Sequence, residues 1–222
     1  MASSLKAYAP LLAWRLGTTP AALYERQRAL VREGMLDQSA GRGPGSGVQV
    51  GPYPVALLLV AVLATDSLSE TAEKVRLFAA AKASTAGDLC PLTGEQTFVE
   101  AVARVLDRTQ PYWRKVETIT IRRTSGQGVI ASGDNLSHTD SIFAVQLPID
   151  AKLRASTKLV VNAILTRDLV IDVATDLKKI ADSEGRSRSE ALQIKPRPEP
   201  RVTARGYRQS RRTKTAPKKE YQ

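Results

Sequence analysis

The chain has 222 residues, with 33 lysines and arginines, 22 aspartates and glutamates, and a formal net charge of +11. One cysteine (Cys90) and one histidine (His138) exclude an intramolecular disulfide and any zinc site built from several such residues. The longest apolar run, residues 54–64, is well short of the ~20 residues of a membrane helix, and the N-terminus lacks the apolar stretch of a secretion signal. The composition predicts a basic, soluble, cytoplasmic protein with no membrane partner.

The positive charge is concentrated at the two ends of the chain. Residues 1–50 carry a net charge of +3, residues 51–194 are neutral and residues 195–222 carry +8. This last segment also has four prolines and few apolar residues, so it cannot bury enough surface to offset the entropy of ordering. We predict a disordered basic tail that binds nucleic acid without reading its sequence; a tail that only aids solubility is the alternative. Its candidate contact residues are Arg205, Arg208, Arg211 and Arg212.

Two helices are predicted at the start of the chain. The first covers residues 4–16, unless Pro10 delays its start. A Gly-Thr-Thr-Pro sequence ends it and begins the second helix, residues 20–33, with Thr19 as the N-cap. Five glycines within residues 37–52 then predict a loop, with or without short strands.

The remaining chain is predicted to contain further helices and a small sheet. Helices are expected over residues 54–64, 67–83 (opened by a Ser67/Glu70 capping box) and 95–108 (opened by Thr93 and Gln96). Strands are expected over residues 117–123, 129–131 and 142–147.

Residues 153–181 are predicted to be mostly helical, with strand left open at residues 160–161 and 169–173. The apolar spacing in this region predicts a packing or dimer seam. Its members are Ala163, Thr166, Val170, Val173, Leu177 and Ile180.

Residues 12–36, LAWRLGTTPAALYERQRALVREGML, resemble the helix-turn-helix of bacterial winged-helix regulators. A helix ends in Leu-Gly, a Thr-Thr-Pro turn begins the next, and Leu23 is followed seven residues later by Leu30. The resemblance implies that residues 20–33 are a recognition helix in the major groove of DNA. It also places a wing at residues 41–47, from which Arg42 would contact the minor groove or a phosphate.

Helical geometry separates two faces of this second helix. At 100° per residue, Gln27 and Leu30 lie on the same side as Leu23, which predicts a buried face. Small residues permit close approach to DNA, and arginine pairs with guanine or phosphate. The predicted DNA-binding face consists of Thr19, Ala21, Tyr24, Arg28 and Arg32.

Residues 169–192 also resemble the strand and two helices of ribbon-helix-helix proteins, whose paired strands enter the major groove. A long helix capped at Gly185 is the alternative. No phosphate-binding glycine loop is present. The acidic residues 168, 172 and 176 are interpreted as a solvated helix face. We therefore predict no catalytic residue, metal or cofactor.

Together these elements predict an α+β fold that is mainly α. Its parts are a helix-turn-helix with a wing-like loop (1–52), helices completing the core (53–110), an α+β region with a long C-terminal helix and a dimerisation surface (111–194), and the basic tail (195–222). The predicted function is that of a homodimeric, sequence-specific transcriptional regulator of double-stranded DNA, of phage or mobile-element type. Alternatives are an accessory or structural protein that binds nucleic acid through its tail alone, and an enzyme subunit.

Overall fold

The computed structural model describes residues 4–38, 47–85, 87–134, 137–145 and 161–192, which form a mixed α/β fold. The helices are α1 (Leu5–Arg15), α2 (Pro20–Arg32), α3 (Pro52–Ala64), α4 (Thr71–Ala79), α5 (Phe98–Leu106) and α6 (Arg167–Leu192), and a short 3₁₀ helix spans Pro111–Arg114. The strands are β1 (Lys82–Ala83), β2 (Val116–Arg122), β3 (Gln127–Asp134), β4 (Ser137–Ala144) and β5 (Asn162–Thr166). They form one antiparallel sheet in the order β1-β4-β3-β2-β5, which is larger than the predicted one.

Helix α3 lies at the centre of the core. Its residues 55–61 are all buried, as expected for a helix that is apolar on every side. It packs against α2, α4 and α5 and against strands β2 and β5. The predicted buried helix over residues 54–64 is confirmed, and the N-terminal helix pair shares its core.

Helix α5 approaches the sheet closely at Gly128. The strand register places Gly128 between Ile121 of β2 and Phe143 of β4. The ring of Phe98, from α5, lies with its centroid 5.3 Å from that of Phe143. A Cβ atom on Gly128 would lie 2.6 Å from Phe98 Cδ2. Only glycine leaves room for this fully buried ring.

We expect Gly128→Ala to lower the free energy of unfolding by about 1–3 kcal/mol, because the buried Phe98 ring must move to admit the methyl group. Gly51→Ala is the control, since its Cβ would lie an ordinary 3.7 Å from Pro54 Cδ. Urea denaturation of both variants measures the difference. Equal losses in the two variants would contradict the close-approach argument.

Two predicted helix starts are wrong. Helix α4 begins at Thr71 without a side-chain cap, and the hydroxyl of Ser67 bonds Ser69 instead. That helix also ends at Ala79, because Lys82 and Ala83 pair with β4. Helix α5 begins at Phe98, three residues later than predicted, because Thr97 and Glu100 form a complete capping box. In the second segment two capping patterns compete, and the one formed by Thr97 and Glu100 operates.

The C-terminal region also differs from its prediction. Residues 162–166 form strand β5, in which Leu165 is buried opposite Ile119 of β2. The following helix, α6, begins at Arg167 and continues through Gly185 to Leu192. The ribbon-helix-helix interpretation is wrong because residues 169–173 are helical, and the predicted cap at Gly185 is wrong because the helix does not end there.

Several predicted features lie outside the described residues. These are the wing tip with Arg42, the end of the predicted third strand and the start of the predicted helical region (within residues 146–160), and the tail with Arg205, Arg208, Arg211 and Arg212. The predicted hairpin is confirmed as β2 and β3, and the third strand, β4, lies earlier than predicted.

Candidate nucleic-acid interface

The turn between α1 and α2 has the predicted chemistry. Gly17 adopts a φ of +62°, which side chains other than hydrogen rarely allow. The backbone N–H of Thr18 donates to the Ala13 carbonyl at 3.0 Å and closes the first helix. The Thr19 hydroxyl accepts a hydrogen bond from the Ala22 N–H at 3.2 Å, and Pro20 is the first residue of α2. Local interactions therefore fix how the two helices are joined.

The inward face of α2 is as predicted. Leu23 and Leu30 are fully buried, and Gln27 is buried beside them. Leu5 and Leu12 of α1 belong to the same apolar core. The helix therefore has one face fixed against the protein, and the opposite face lies outside the core.

Arg26 is a buried residue of α2 that the sequence analysis missed. It retains 7% of its surface exposed, and its Nη2 donates to the Thr65 carbonyl at 3.2 Å. Burial lowers the pKa of this guanidinium. Arg26 lies about 60° from Leu23 around the helix, and that angle could have indicated burial. It anchors α2 to the C-terminal end of α3.

A second arginine supports the same end of α3. Arg123 Nε donates to the Leu63 carbonyl at 2.6 Å, and its Nη1 pairs with Asp66 at 2.6 Å. The hydrogen bond from Arg123 holds the pKa of the Asp66 carboxyl below its usual value. These donors satisfy carbonyls that a helix end leaves without intrahelical partners. They hold the C-terminal end of α3 in a fixed position. Arg26 links α2 to this end of α3, so α2 is fixed as well.

The outward face of α2 borders an open groove of about 630 Å³. Tyr24, Arg28 and Arg32 line this groove; Tyr24 is half-buried and both arginines are exposed. Thr19 and Ala21 are also exposed but are not part of its lining, since they lie at the N-terminal end of α2. Three of the five predicted DNA-binding residues therefore line the groove, and the other two lie exposed at the start of α2.

Lys6 of α1 is a further cation in the groove lining that sequence reasoning missed. Its Nζ lies 5.2 Å from the centroid of the Tyr24 ring, within the range of a cation–π contact. The available signal was its position in the first turn of α1, two residues after the N-cap Ser4. The start of a helix favours negatively charged groups, so a lysine there stands out and lies where an anion would bind. Lys6 thus adds positive charge beside the arginines of α2.

Glu25 is the one carboxylate among the described residues that line the groove. Its Oε1 accepts a hydrogen bond from Arg28 Nη1 at 3.2 Å, and the two side chains are 49% and 64% exposed. Three cations and one anion therefore line the described part of the groove.

The described residues at the two ends of the predicted wing region also border the groove. Gln38, which precedes the predicted wing, and Gly47, its last residue, are part of the groove lining. The Leu5 N–H donates to the Val48 carbonyl at 2.7 Å, and Ser4 pairs with Gln49 in a β-bridge. The segment after the wing is thus fixed to the start of α1.

Helix α6 holds the end of α1 through a partly buried ion-pair cluster. Arg15 Nε donates to Asp176 Oδ2 at 2.8 Å, and its Nη1 pairs with Asp172. The hydrogen bond to Asp176 raises the pKa of Arg15. Burial, with the nearby charge of Asp176, raises the pKa of Tyr8. The interpretation of the acidic residues as a solvated face is wrong for Asp176, which is buried against Arg15, whereas Asp168 and Asp172 are exposed.

Of the two alternatives for the apolar seam, packing within the chain is the one that the structure shows. Ala163 and Thr166 belong to strand β5 and do not continue the helix. Val170, Val173 and Leu177 are buried in the protein's own core, where α6 packs against α5 and β2. Their apolar spacing reflects intramolecular packing.

No family model, curated protein or solved structure matches the chain. Within the described ranges, no helix has the length and apolar character needed to cross a bilayer, and no group of three or more potential ligands could hold a metal ion. The groove beside α2 therefore has to be interpreted from its own chemistry.

Proposed function

We propose that the protein binds double-stranded DNA and reads its sequence with α2. One observation carries the proposal: α2 is anchored by Leu23, Arg26 and Leu30, while Arg28 and Arg32 project beside an open groove. A helix of 10–12 Å diameter fits the major groove, which is about 12 Å wide. The rigid support favours a reader, because base recognition requires side chains held in register with the base pairs.

The residues have different roles in this proposal. Arg28 pairs with a guanine edge, the interaction that arginine makes most often in specific complexes. Arg32 and Lys6 contact phosphates, while Thr19 and Ala21 allow the start of α2 to approach the bases. Tyr24 positions Lys6 through its ring.

Further phosphate contacts come from outside the described residues. Arg42, which the resemblance assigns to the wing, contacts a phosphate or the minor groove in this proposal. The basic tail adds affinity that is independent of sequence.

The biological role that we propose is transcriptional regulation of the phage or mobile-element type. Helix-turn-helix readers commonly bind as dimers on two half-sites, so two copies of the chain would bind each site. The two copies would contact each other through a surface that does not include the α6 residues buried in the core.

Selection from a random library of DNA duplexes tests the proposal directly. The full-length protein should enrich a discrete sequence motif after a few rounds. Enrichment of no motif, with binding that depends only on salt, would contradict a sequence-reading function. That result would support the second candidate, an accessory protein that uses only the basic tail, which the +8 charge of residues 195–222 favours.

The tail should determine much of the salt dependence of binding. Replacing the four tail arginines 205, 208, 211 and 212 by glutamine should reduce the slope of log affinity against log salt by up to about 3–4, since each phosphate contact contributes ~0.9. The motif selected by this variant should be that of the wild type. An unchanged slope, measured by fluorescence anisotropy, would show that these arginines do not contact phosphates.

A further inference from the structure

Glu25 occupies an unfavourable place for a carboxylate if α2 binds DNA. It is about half exposed, lines the groove and pairs with Arg28 at 3.2 Å. A negative charge at this position is repelled by the phosphates of the duplex. A group of the DNA that donates a hydrogen bond to the carboxylate would offset this repulsion in the complex.

The bases offer one partner of the required kind. In the major groove, cytosine presents its N4 amino group as a donor, and glutamate is a side chain that accepts from it. Arg28 pairs with guanine O6 and N7 in the same groove. Glu25 precedes Arg28 by three residues, a rise of about 4.5 Å along the helix. Because neighbouring base pairs are spaced by about 3.4 Å, the two side chains match adjacent steps of a duplex.

We propose that Glu25 is a specificity-determining residue that reads a cytosine next to the guanine read by Arg28. The inference rests on the proposed DNA-reading function and names its substrate as duplex DNA with two adjacent G·C pairs. The Glu25–Arg28 ion pair shows that the two side chains lie side by side in the free protein. The carboxylate lowers affinity for DNA in general and raises the discrimination between sequences.

This arrangement predicts an unusual pair of effects for Glu25→Gln. Loss of the charge should strengthen binding to an unrelated duplex several-fold. Discrimination at one C·G pair of the selected motif should fall about 5- to 150-fold, because a good base contact contributes about 1–3 kcal/mol. Glu33→Gln is the matched control: Glu33 caps the end of α2 and pairs with Arg76 at 2.9 Å, outside the groove lining.

The test measures affinities of wild type, Glu25→Gln, Glu33→Gln and Arg28→Ala for the selected duplex and for single-pair variants of it. Arg28→Ala identifies the base pair that Arg28 reads. The proposal is supported if Glu25→Gln, and not Glu33→Gln, loses discrimination at the base pair next to it. Identical profiles for the two glutamine variants overturn it. So does relaxation only at the Arg28 position, which would make Glu25 a support for Arg28. A wild type that enriches no motif contradicts the proposed function and this inference together.

Discussion

Replacing Arg15 by leucine should lower the free energy of unfolding by about 3–5 kcal/mol, because it leaves a buried carboxylate without its counter-charge. Arg15 and Asp176 have only 15% and 8% of their side chains exposed. The buried Tyr8 hydroxyl lies in the same cluster and cannot replace the lost cation. Chemical denaturation followed by circular dichroism measures the change.

Arg104→Leu is the control for this experiment. Arg104 pairs with Glu95 at 2.9 Å, close to the 2.8 Å between Arg15 and Asp176, but the side chains are 44% and 26% exposed. Exposed pairs contribute about 0–1 kcal/mol, so this variant should remain close to wild type. A similar loss in both variants would indicate that the cluster between α1 and α6 has no special role. A large loss confined to Arg15→Leu would show that α6 stabilises the helix pair that carries the groove.

The α1–turn–α2 unit could be predicted from the sequence because its determinants are local. The left-handed Gly17 and the Thr19 cap act within a few residues. The buried and exposed sides of α2 follow from helical periodicity, which requires no knowledge of the partner elements. The same holds for α3, whose apolar character on all sides indicates burial.

The features that were missed depend on contacts between distant parts of the chain. Arg15 and Asp176 are 161 residues apart, and Arg26 reaches a carbonyl 39 residues away. Strand β5 forms because β2 offers it an edge, and nothing in its five residues alone excludes a helix. The apolar seam of α6 has a spacing that serves equally for packing within one chain or between two. Only the fold distinguishes these alternatives.

The variant Arg28→Ala/Arg32→Ala should lose sequence-specific binding while remaining folded. Both side chains are exposed, so each substitution should change stability by less than about 0.5 kcal/mol. Loss of the guanine contact of Arg28 should remove about 1–3 kcal/mol of discrimination. Loss of Arg32 should weaken binding to all sequences, because a phosphate contact carries no base information.

Lys178→Ala/Lys179→Ala removes two exposed cations from α6 and controls for the change in net charge.

Leu30→Ala provides the reciprocal case. It should cost about 2–5 kcal/mol of stability by opening a cavity in the core, while its folded fraction keeps the wild-type motif. Binding to the duplex selected by the wild type, measured alongside urea denaturation, separates these effects. A folded Arg28/Arg32 variant that still bound the same sites as tightly as the wild type would rule out α2 as the reader. The nucleic-acid site would then have to be assigned to the basic tail.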